Sequence, residues 1–462
     1  MDIYSSLYEE NADYYCFSCY IWNIEYTVKI ASLIKTALPE CKIVLGGPEV
    51  SYNPKDYTFA DFIICGEGEE VMGEILSGHV KEKIIYSKPF DLTKMPLPYD
   101  ESEIINLKNK IIYFETSRGC PCKCTYCLSG DDTSVRYFPM EYVKQGFDLF
   151  FKMNVPLVKL IDRTFNANPK RAKEIIDYII KNSKNTRVHF EIEPHFLTEE
   201  IISVLQNSPK DLFQLEIGVQ TSNPKTLKSV NRFTDIEKMA ENIKKLREKN
   251  NMHIHLDLIA GLPYEDYASF KKSFEYVYSL KPHMFQLGFL KVLHGTNIEK
   301  EKDIKHSPFP PYFVISTPWL TAYDIISLHK TENALDRYYN SGAFKRTLRK
   351  IGSFDVFERL GVCLDREGGI SRRDLYNILY NEYGNIAGKE ILFDFLENNR
   401  DMPLPDFAKH DNIPDFKKKI NKYIADNKIE TEQKHLRFEA IHGRIILTDY
   451  KNKTVTDITE HF

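Results

Sequence analysis

The sequence predicts an α/β protein built on parallel sheets and followed by a mainly helical C-terminal region. Strand-like and helix-like segments alternate over 13–76 and again over 111–290, and such alternation means βα units. Beyond Pro308, Pro310 and Pro311 the apolar residues recur at helical spacing instead. At 462 residues the chain has room for about three domains.

The first block opens with the apolar, aromatic stretch Tyr14–Trp22, which reads as a buried strand. Asn23 stands where a helix N-cap belongs, ahead of Ile24, Val28, Ala31, Ile34 and Leu38. Two more strands, 42–45 and 62–65, run into Gly46-Gly47 and Gly66-Glu67-Gly68. Glycines at strand ends let a backbone approach a flat or phosphorylated ligand, and a plain tight turn is the alternative. Residues 86–108 carry Pro89, Pro96 and Pro98 and read as a linker.

The second block offers strands at 111–116, 157–161, 187–192, 212–218, 254–260 and 284–290, with helices at 139–152, 169–183, 235–249 and 266–280. In the last third, Thr321 and Asp324 are spaced as a capping box ahead of Ile325, Leu328, Leu335 and Tyr338, and Asn340-Ser341-Gly342 ends that helix. Further helices are expected at 343–360, 372–383, 387–399 and the Lys-rich 413–425, the last as a solvated face. Residues 436–450 alternate like a hairpin.

Composition narrows the function. Lys and Arg total 62 against 66 Asp and Glu, a net charge of −4, which argues against a general nucleic-acid binder. Hydrophobic residues make up 42 % and charged residues 28 %, so wholesale disorder is not expected. No apolar run reaches the roughly 18 residues of a membrane span, and no secretory leader pattern opens the chain. Nine cysteines, an odd number, read as cytoplasmic thiols or metal ligands rather than a disulfide framework.

Four of those cysteines fall in Cys120-Pro-Cys122-Lys-Cys124-Thr-Tyr-Cys127, directly after a strand. Cys120, Cys124 and Cys127 form C-x-x-x-C-x-x-C, and three thiolates on one loop can hold three irons of a cubane. The fourth iron then stays open to a small molecule. The alternative is a structural zinc knot using all four thiolates. Such knots draw on two separated ligand pairs, and no second pair follows.

The strand, Thr116-Ser-Arg-Gly-Cys120, the three-cysteine spacing and Tyr126 before the last cysteine together resemble the radical S-adenosylmethionine (SAM) superfamily. The resemblance implies a [4Fe–4S] cluster on Cys120, Cys124 and Cys127, with Cys122 a bystander. It implies SAM chelated to the open iron and cleaved reductively to a 5′-deoxyadenosyl radical. The six βα units then form the family's partial (β/α)6 barrel over 109–300, an open relative of the eight-unit TIM barrel.

Several positions resemble the family's SAM contacts. Asp162 follows the second strand, where many members carry Gly-Gly-Glu; a helix N-terminal acid is the alternative. Glu191 and Glu193 place carboxylates on one face of the third strand, where the SAM ammonium is a partner for a buried acid. Glu216 and Gln220 stand on the fourth strand as ribose or substrate contacts. Arg232, after Asn231, is placed to pair with the SAM carboxylate or else forms a surface salt bridge. Gly261 lies in the segment that packs on adenine, and His294 is a substrate contact or a satisfied loop histidine.

Residues 1–85 resemble the cobalamin-binding Rossmann-like domain of the cobalamin-dependent branch, through Ser18 and the pair Gly46 and Gly47. The branch's D-x-H-x-x-G loop is absent from the chain, and its first βα units have no room, so a truncated or degenerate domain is expected. Residues 301–462 resemble the helical extension of one bacterial branch.

The leading expectation is a radical SAM enzyme of a cobalamin-dependent methyltransferase lineage. Its substrate is a small molecule or peptide, its electron donor resembles flavodoxin or ferredoxin, and neither nucleic acid nor membrane is a partner. The alternatives are a cobalamin-free radical SAM oxidoreductase or cyclase, and a non-catalytic iron–sulfur or zinc protein.

Overall fold

The computed structural model describes residues 2–108, 110–130, 134–366 and 368–462. Two compact units divide the chain. One comprises Met1–Ser273 with Leu287–Ile325, the other Phe274–Gln286 with Ile326–Phe462. Among the described residues no helix is long and apolar enough to cross a membrane.

The first unit begins with four parallel strands, β1 (Tyr14–Ser18), β2 (Lys42–Gly46), β3 (Phe62–Cys65) and β4 (Ile84–Tyr86), side by side in chain order. Their register sets Ser18 beside Gly46 and Gly46 beside Ile64, so the glycine-bearing strand ends share one edge. The first strand is shorter than its sequence suggests. Cys19 N donates to Gly46 O, the chain then turns, and Trp22 is left exposed, stacked on Tyr20. Asn23 occupies the N-cap of the helix Ile24–Ala37 without capping it, because its side chain reaches back to Tyr20 N and Ser18 O. Residues 86–108 hold a short helix, Glu101–Asn106, opened by a capping box of Asp100 and Glu103.

The second sheet is a six-stranded partial barrel. After β5 (Ile112–Phe114) come the two-residue strands β6 (Ser117–Arg118) and β7 (Arg136–Tyr137), an antiparallel pair that encloses the cysteine loop. The barrel continues with β8 (Leu157–Leu160), β9 (Arg187–Ile192), β10 (Phe213–Gln220), β11 (His253–Ala260) and β12 (Met284–Phe289). Its strand order is β5-β8-β9-β10-β11-β12. Neighbours from β5 to β11 pair in parallel.

Strand alternation gives this sheet two unlike faces. Val188, Phe190, Phe213, Leu215, Ile217, Ile254, Leu256 and Leu258 are fully buried under the outer helices. The opposite, half-buried face carries Lys159, His189, Glu191, Glu216, His255 and Asp257. It is the lining of the barrel.

In the second unit, Phe274, Tyr338, Phe344, Phe354, Phe357, Tyr376 and Phe395 form an aromatic core. The expected helix over 343–360 is two, Lys345–Ile351 and Phe354–Leu364. The pair expected over 372–399 is one helix, Arg372–Asn398, kinked at Ala387. A buried Asp394 accepts from Arg346 N, Thr347 N and the Thr347 hydroxyl, satisfying the first amides of the helix Lys345–Ile351 where its own N-cap, Phe344, cannot. The hairpin expected at 436–450 is present, and a third strand, Thr454–Asp457, extends it.

Phe114 sits at the heart of the barrel's first layer, stacked with Tyr142 and edge-on to Phe147 and Phe150. The helix Met140–Lys152 brings Gly146 so close to this ring that a Cβ would collide with it. A Gly146→Ala change gains roughly 1 kcal/mol of helix propensity. Overpacking costs about 1–3 kcal/mol, which outweighs that gain. The variant is expected to lower the Tm, read by thermal unfolding with wild type alongside.

Candidate active site

The cysteine loop starts on a buried acid. Asp162, at the end of β8, accepts from Thr116 N (2.7 Å), the Thr116 hydroxyl (2.6 Å) and the Ser117 hydroxyl (2.6 Å). Burial pushes its pKa up to about 6 against those three donors. From there the loop is pinned by segments distant in sequence. Thr125 N donates to Val230 O, Ile298 N to Thr125 O, and the Asn231 side-chain amide to Lys123 O. Asn231 adopts a left-handed backbone there, which its short polar side chain tolerates.

Cys120 and Cys124 are buried and Cys127 half-buried. Donation from the Cys122 thiol, then from the Thr164 hydroxyl at 3.2 Å, pulls the Cys120 thiol down and outweighs its burial. Burial pushes the Cys127 thiol up. Cys122 touches Cys120, a closeness its position in sequence does not reveal. Among the described residues, Glu216, His255 and Asp257 are the one group of three or more metal-ligating side chains whose ligand atoms lie within 4.8 Å of one another. The four thiols are therefore not gathered around a single ion, as a zinc knot requires. Three thiolates spread along a pinned loop fit a cubane, which gives each its own iron.

Arg232 reaches the loop from the side. Its Nη1 lies 3.7 Å from Cys124 Sγ, and its Nη2 donates to Glu193 Oε2 and Gly218 O, both at 2.6 Å. Its Nε, Glu193 Oε1 and Gln220 Oε1 are buried with no hydrogen-bond partner, which leaves donor and acceptor capacity facing the mouth. Tyr126 is half-buried beside Arg232 and Cys124, and desolvation pushes its phenol up.

Beneath this mouth the lining is charged. Glu216 lies 3.3 Å from Lys159 and 3.0 Å from His189, and the imidazole together with the ammonium holds its carboxyl down at about 2. Glu191 is pushed up to about 7 by burial and by Glu216 beside it. Residues His189, His255, Asp257 and Lys159 belong to this set, and the sequence reading missed them. Their signal was the period-2 pattern His253-x-His255-x-Asp257 and the lone Lys159 within an apolar strand.

A cleft of about 700 Å³ opens at the glycine-bearing edge of the N-terminal sheet. Ser18, Gly46, Gly47, Gly66 and Gly68 line it from one side, and Arg118 and Leu128 of the cysteine-loop region line it from the other. Gly47 has φ +105°, and a Cβ there would fall 2.7 Å from Cys19 O, so glycine alone fits. At Gly46 the space is open, with Ile64 Cβ at 3.9 Å as the nearest atom. This is a cradle that accepts a flat ligand. Arg118, two residues before Cys120, pairs with Glu67 (2.9 Å), Glu69 (2.8 Å) and Glu115 (2.8 Å), and Arg136 also binds Glu67.

The structure thus gathers Cys120, Cys124, Cys127, Tyr126, Gln220 and Arg232 at one mouth, and Ser18, Gly46 and Gly47 at the cleft beside it. Four expected SAM contacts fall elsewhere, Glu191 among them in the charged lining beside Glu216. Asp162 has both oxygens committed to the loop's first residues. Glu216 sits deeper, with Lys159 and His189. Gly261 has φ +94°, and Val314, 2.8 Å from where a Cβ would stand, fills the room a ligand would need. His294 is a satisfied loop histidine, with Nδ1 2.7 Å from Glu299.

Comparison with known proteins assigns the domains. The radical SAM superfamily model matches residues 114–277, and the B12 binding domain model matches 1–76. The chain carries a radical SAM domain and a B12-binding domain. Residues 300–459 match a protein of unknown function, DUF4080. A 2-(S-pantetheinyl)-carbapenam-3-carboxylate methyltransferase from Streptantibioticus cattleyicolor is 25 % identical over 301 residues, 56 % of this chain and 44 % of that protein. The cobalamin-dependent radical SAM methyltransferase TokK from Streptomyces tokunonensis is 24 % identical over 422 residues, 80 % of this chain and 61 % of TokK. The chain thus spans about half to three fifths of these relatives' lengths. The methyltransferase TsrM from Kitasatospora setae, solved with cobalamin and a [4Fe–4S] cluster, shares the fold with a TM-score of 0.55 at 14 % identity, over 67 % of this chain and 73 % of that one. A radical SAM domain implies a [4Fe–4S] cluster and SAM.

Replacing Cys120, Cys124 and Cys127 together by Ala should abolish iron binding after anaerobic reconstitution, whereas Cys122→Ala should keep the iron content, both read by metal analysis. A second expectation concerns Glu265, which has no exposure, accepts from Thr221 (2.6 Å) and Ser273 (2.8 Å), and is pushed up to about 7 by burial. The unfolded chain loses this proton first, so the stability it carries falls as pH rises from about 4.5 to 7, by roughly 1.4 kcal/mol per unit at most. Wild-type Tm should drop across that window, and Glu265→Gln should flatten the drop.

Proposed function

We propose that this chain is a cobalamin-dependent radical SAM methyltransferase acting on a small molecule or peptide, with a cytoplasmic flavodoxin- or ferredoxin-like electron donor. The observation that carries the proposal is the shared cleft. Ser18, Gly46 and Gly47 line it from the B12-binding side, and Arg118 and Leu128 line it from the cysteine-loop side. A corrinoid held there lies next to the cluster, which is the neighbourhood methyl transfer needs. The two relatives whose names state methyl transfer support the same reading.

When bound, the cluster supplies the electron that cleaves SAM, and the corrinoid carries the methyl group. The chain's own residues do the rest. Cys120, Cys124 and Cys127 hold three irons. Asp162, Thr125 and Asn231 fix the loop that carries them. Arg232, with Glu193 behind it, offers a buried cation for a carboxylate, and Glu193 Oε1 and Gln220 Oε1 offer acceptors for an ammonium or hydroxyl group. The Glu67–Arg118 pair ties the edge of the cleft to the start of the cysteine loop, so the two cofactor sites keep a constant spacing.

The test is an anaerobic preparation with reconstituted cluster and added cobalamin, incubated with SAM and a low-potential reductant. Wild type should form 5′-deoxyadenosine by mass spectrometry and the triple Cys→Ala variant none. Wild type should also retain cobalamin through desalting. Gly46→Leu fills open space in the cleft and should weaken that retention by about tenfold or more while keeping its iron. Nucleoside without any cobalamin retention would support a cobalamin-free oxidoreductase or cyclase instead. No nucleoside from iron-replete wild type would sink the enzyme reading.

A further inference from the structure

The charged lining of the barrel contains two contacts that are not what their lengths suggest. His255 Nε2 lies 2.9 Å from Asp257 Oδ1, and His189 Nε2 lies 3.0 Å from Glu216 Oε2. These are hydrogen-bond distances. Yet His189 Nε2, His255 Nε2 and Asp257 Oδ1 are all buried and make no aligned hydrogen bond. Buried polar atoms without partners destabilise the fold. Buried polar atoms left without partners call for an ion or a water.

The geometry fits an ion. Imidazole nitrogen and carboxylate oxygen sit about 2.1 Å from a first-row transition ion. Two such ligands at roughly 90–110° around one ion are therefore about 3.0–3.4 Å apart without pointing at each other. The His255–Asp257 contact, at 2.9 Å and misaligned, comes close to that arrangement. Ligand atoms of Glu216, His255 and Asp257 lie within 4.8 Å of one another, and His189 stands against Glu216 outside that group.

We propose that the barrel lining holds a divalent transition-metal site on His255, Asp257 and Glu216, separate from the cysteine loop. The backbone builds it without strain. Glu216 pairs in register with His255 on the neighbouring strand, and Asp257 follows two residues on, so all three project from the same face. Other charged groups face the same volume. Lys159 Nζ lies 3.3 Å from Glu216 and offsets one of the two carboxylates. An imidazole beside two carboxylates, one of them offset, favours a borderline ion such as zinc, iron(II) or cobalt(II) over magnesium or calcium, which prefer oxygen cages. The inference stands apart from the methyltransferase reading, because it uses none of the groups at the mouth or in the cleft.

The experiment uses full-length protein with the cysteine cluster reconstituted, so that the loop thiols are occupied. Zinc chloride is titrated by calorimetry, and the Tm is followed with and without zinc. Wild type should bind one saturable equivalent with micromolar or tighter affinity and gain Tm. His255→Ala and Asp257→Asn should each weaken binding by about a hundredfold and cancel the Tm gain, with cluster iron unchanged as proof of folding. No saturable equivalent in wild type, or equal binding in both variants, overturns the site. Should a variant fail to hold iron, anomalous diffraction from zinc-soaked wild-type crystals decides. A peak between His255 and Asp257 supports the site, and a peak elsewhere overturns it.

Discussion

The cluster loop depends on one buried carboxylate. Asp162 is almost wholly enclosed and accepts from a backbone amide and two hydroxyls of Thr116 and Ser117, the residues that lead from the first barrel strand toward Cys120. A charge there is expensive, and both carboxylate oxygens are committed to donors. That commitment fixes where the loop leaves the sheet. Val230, Asn231 and Ile298 then fix its far side. The loop is thus held by its backbone and by neighbouring segments rather than by its thiols.

The same constraint explains the barrel's two faces. Its strands place Val, Ile, Leu and Phe at their fully buried positions against the outer helices, and ionisable groups at their half-buried positions inside. The polar face would be costly alone. Lys159, Glu216 and His189 offset one another, and burial beside Glu216 pushes the Glu191 carboxyl up to about 7. An interior of this kind rejects apolar filler and accepts ions and polar ligands. The N-terminal sheet solves the opposite problem. Its strand ends are stripped to glycine so that a large ligand meets backbone rather than side chains.

Much of this was legible in the sequence. The cysteine spacing, the six βα units and the two glycine-rich strand ends are local patterns, and each survives intact in the fold. Individual ligand contacts were less legible. Asp162 looked like a SAM contact because of its place after a strand, and only the folded loop shows that its oxygens are taken. Gly261 looked like room for a ligand, and Val314, more than fifty residues on, fills that room. His255 and Asp257 were hidden in an ordinary strand pattern, since nothing in a single strand says which partner strand its polar face will meet.

By itself, then, the sequence determined the chemistry the chain carries: three thiolates at cubane spacing on a loop after a strand, and glycines where a ligand must approach backbone. Those depend on residues a few positions apart, whose geometry the local chain dictates. Tertiary structure alone decided which acids face a ligand, which hold the loop, and that the glycine-lined cleft opens onto the cluster region through Arg118 and Leu128. The physical reason is distance along the chain. Burial and pairing energies arise between segments that pattern and propensity treat separately, and a carboxylate's role is set by the donors that folding brings to it.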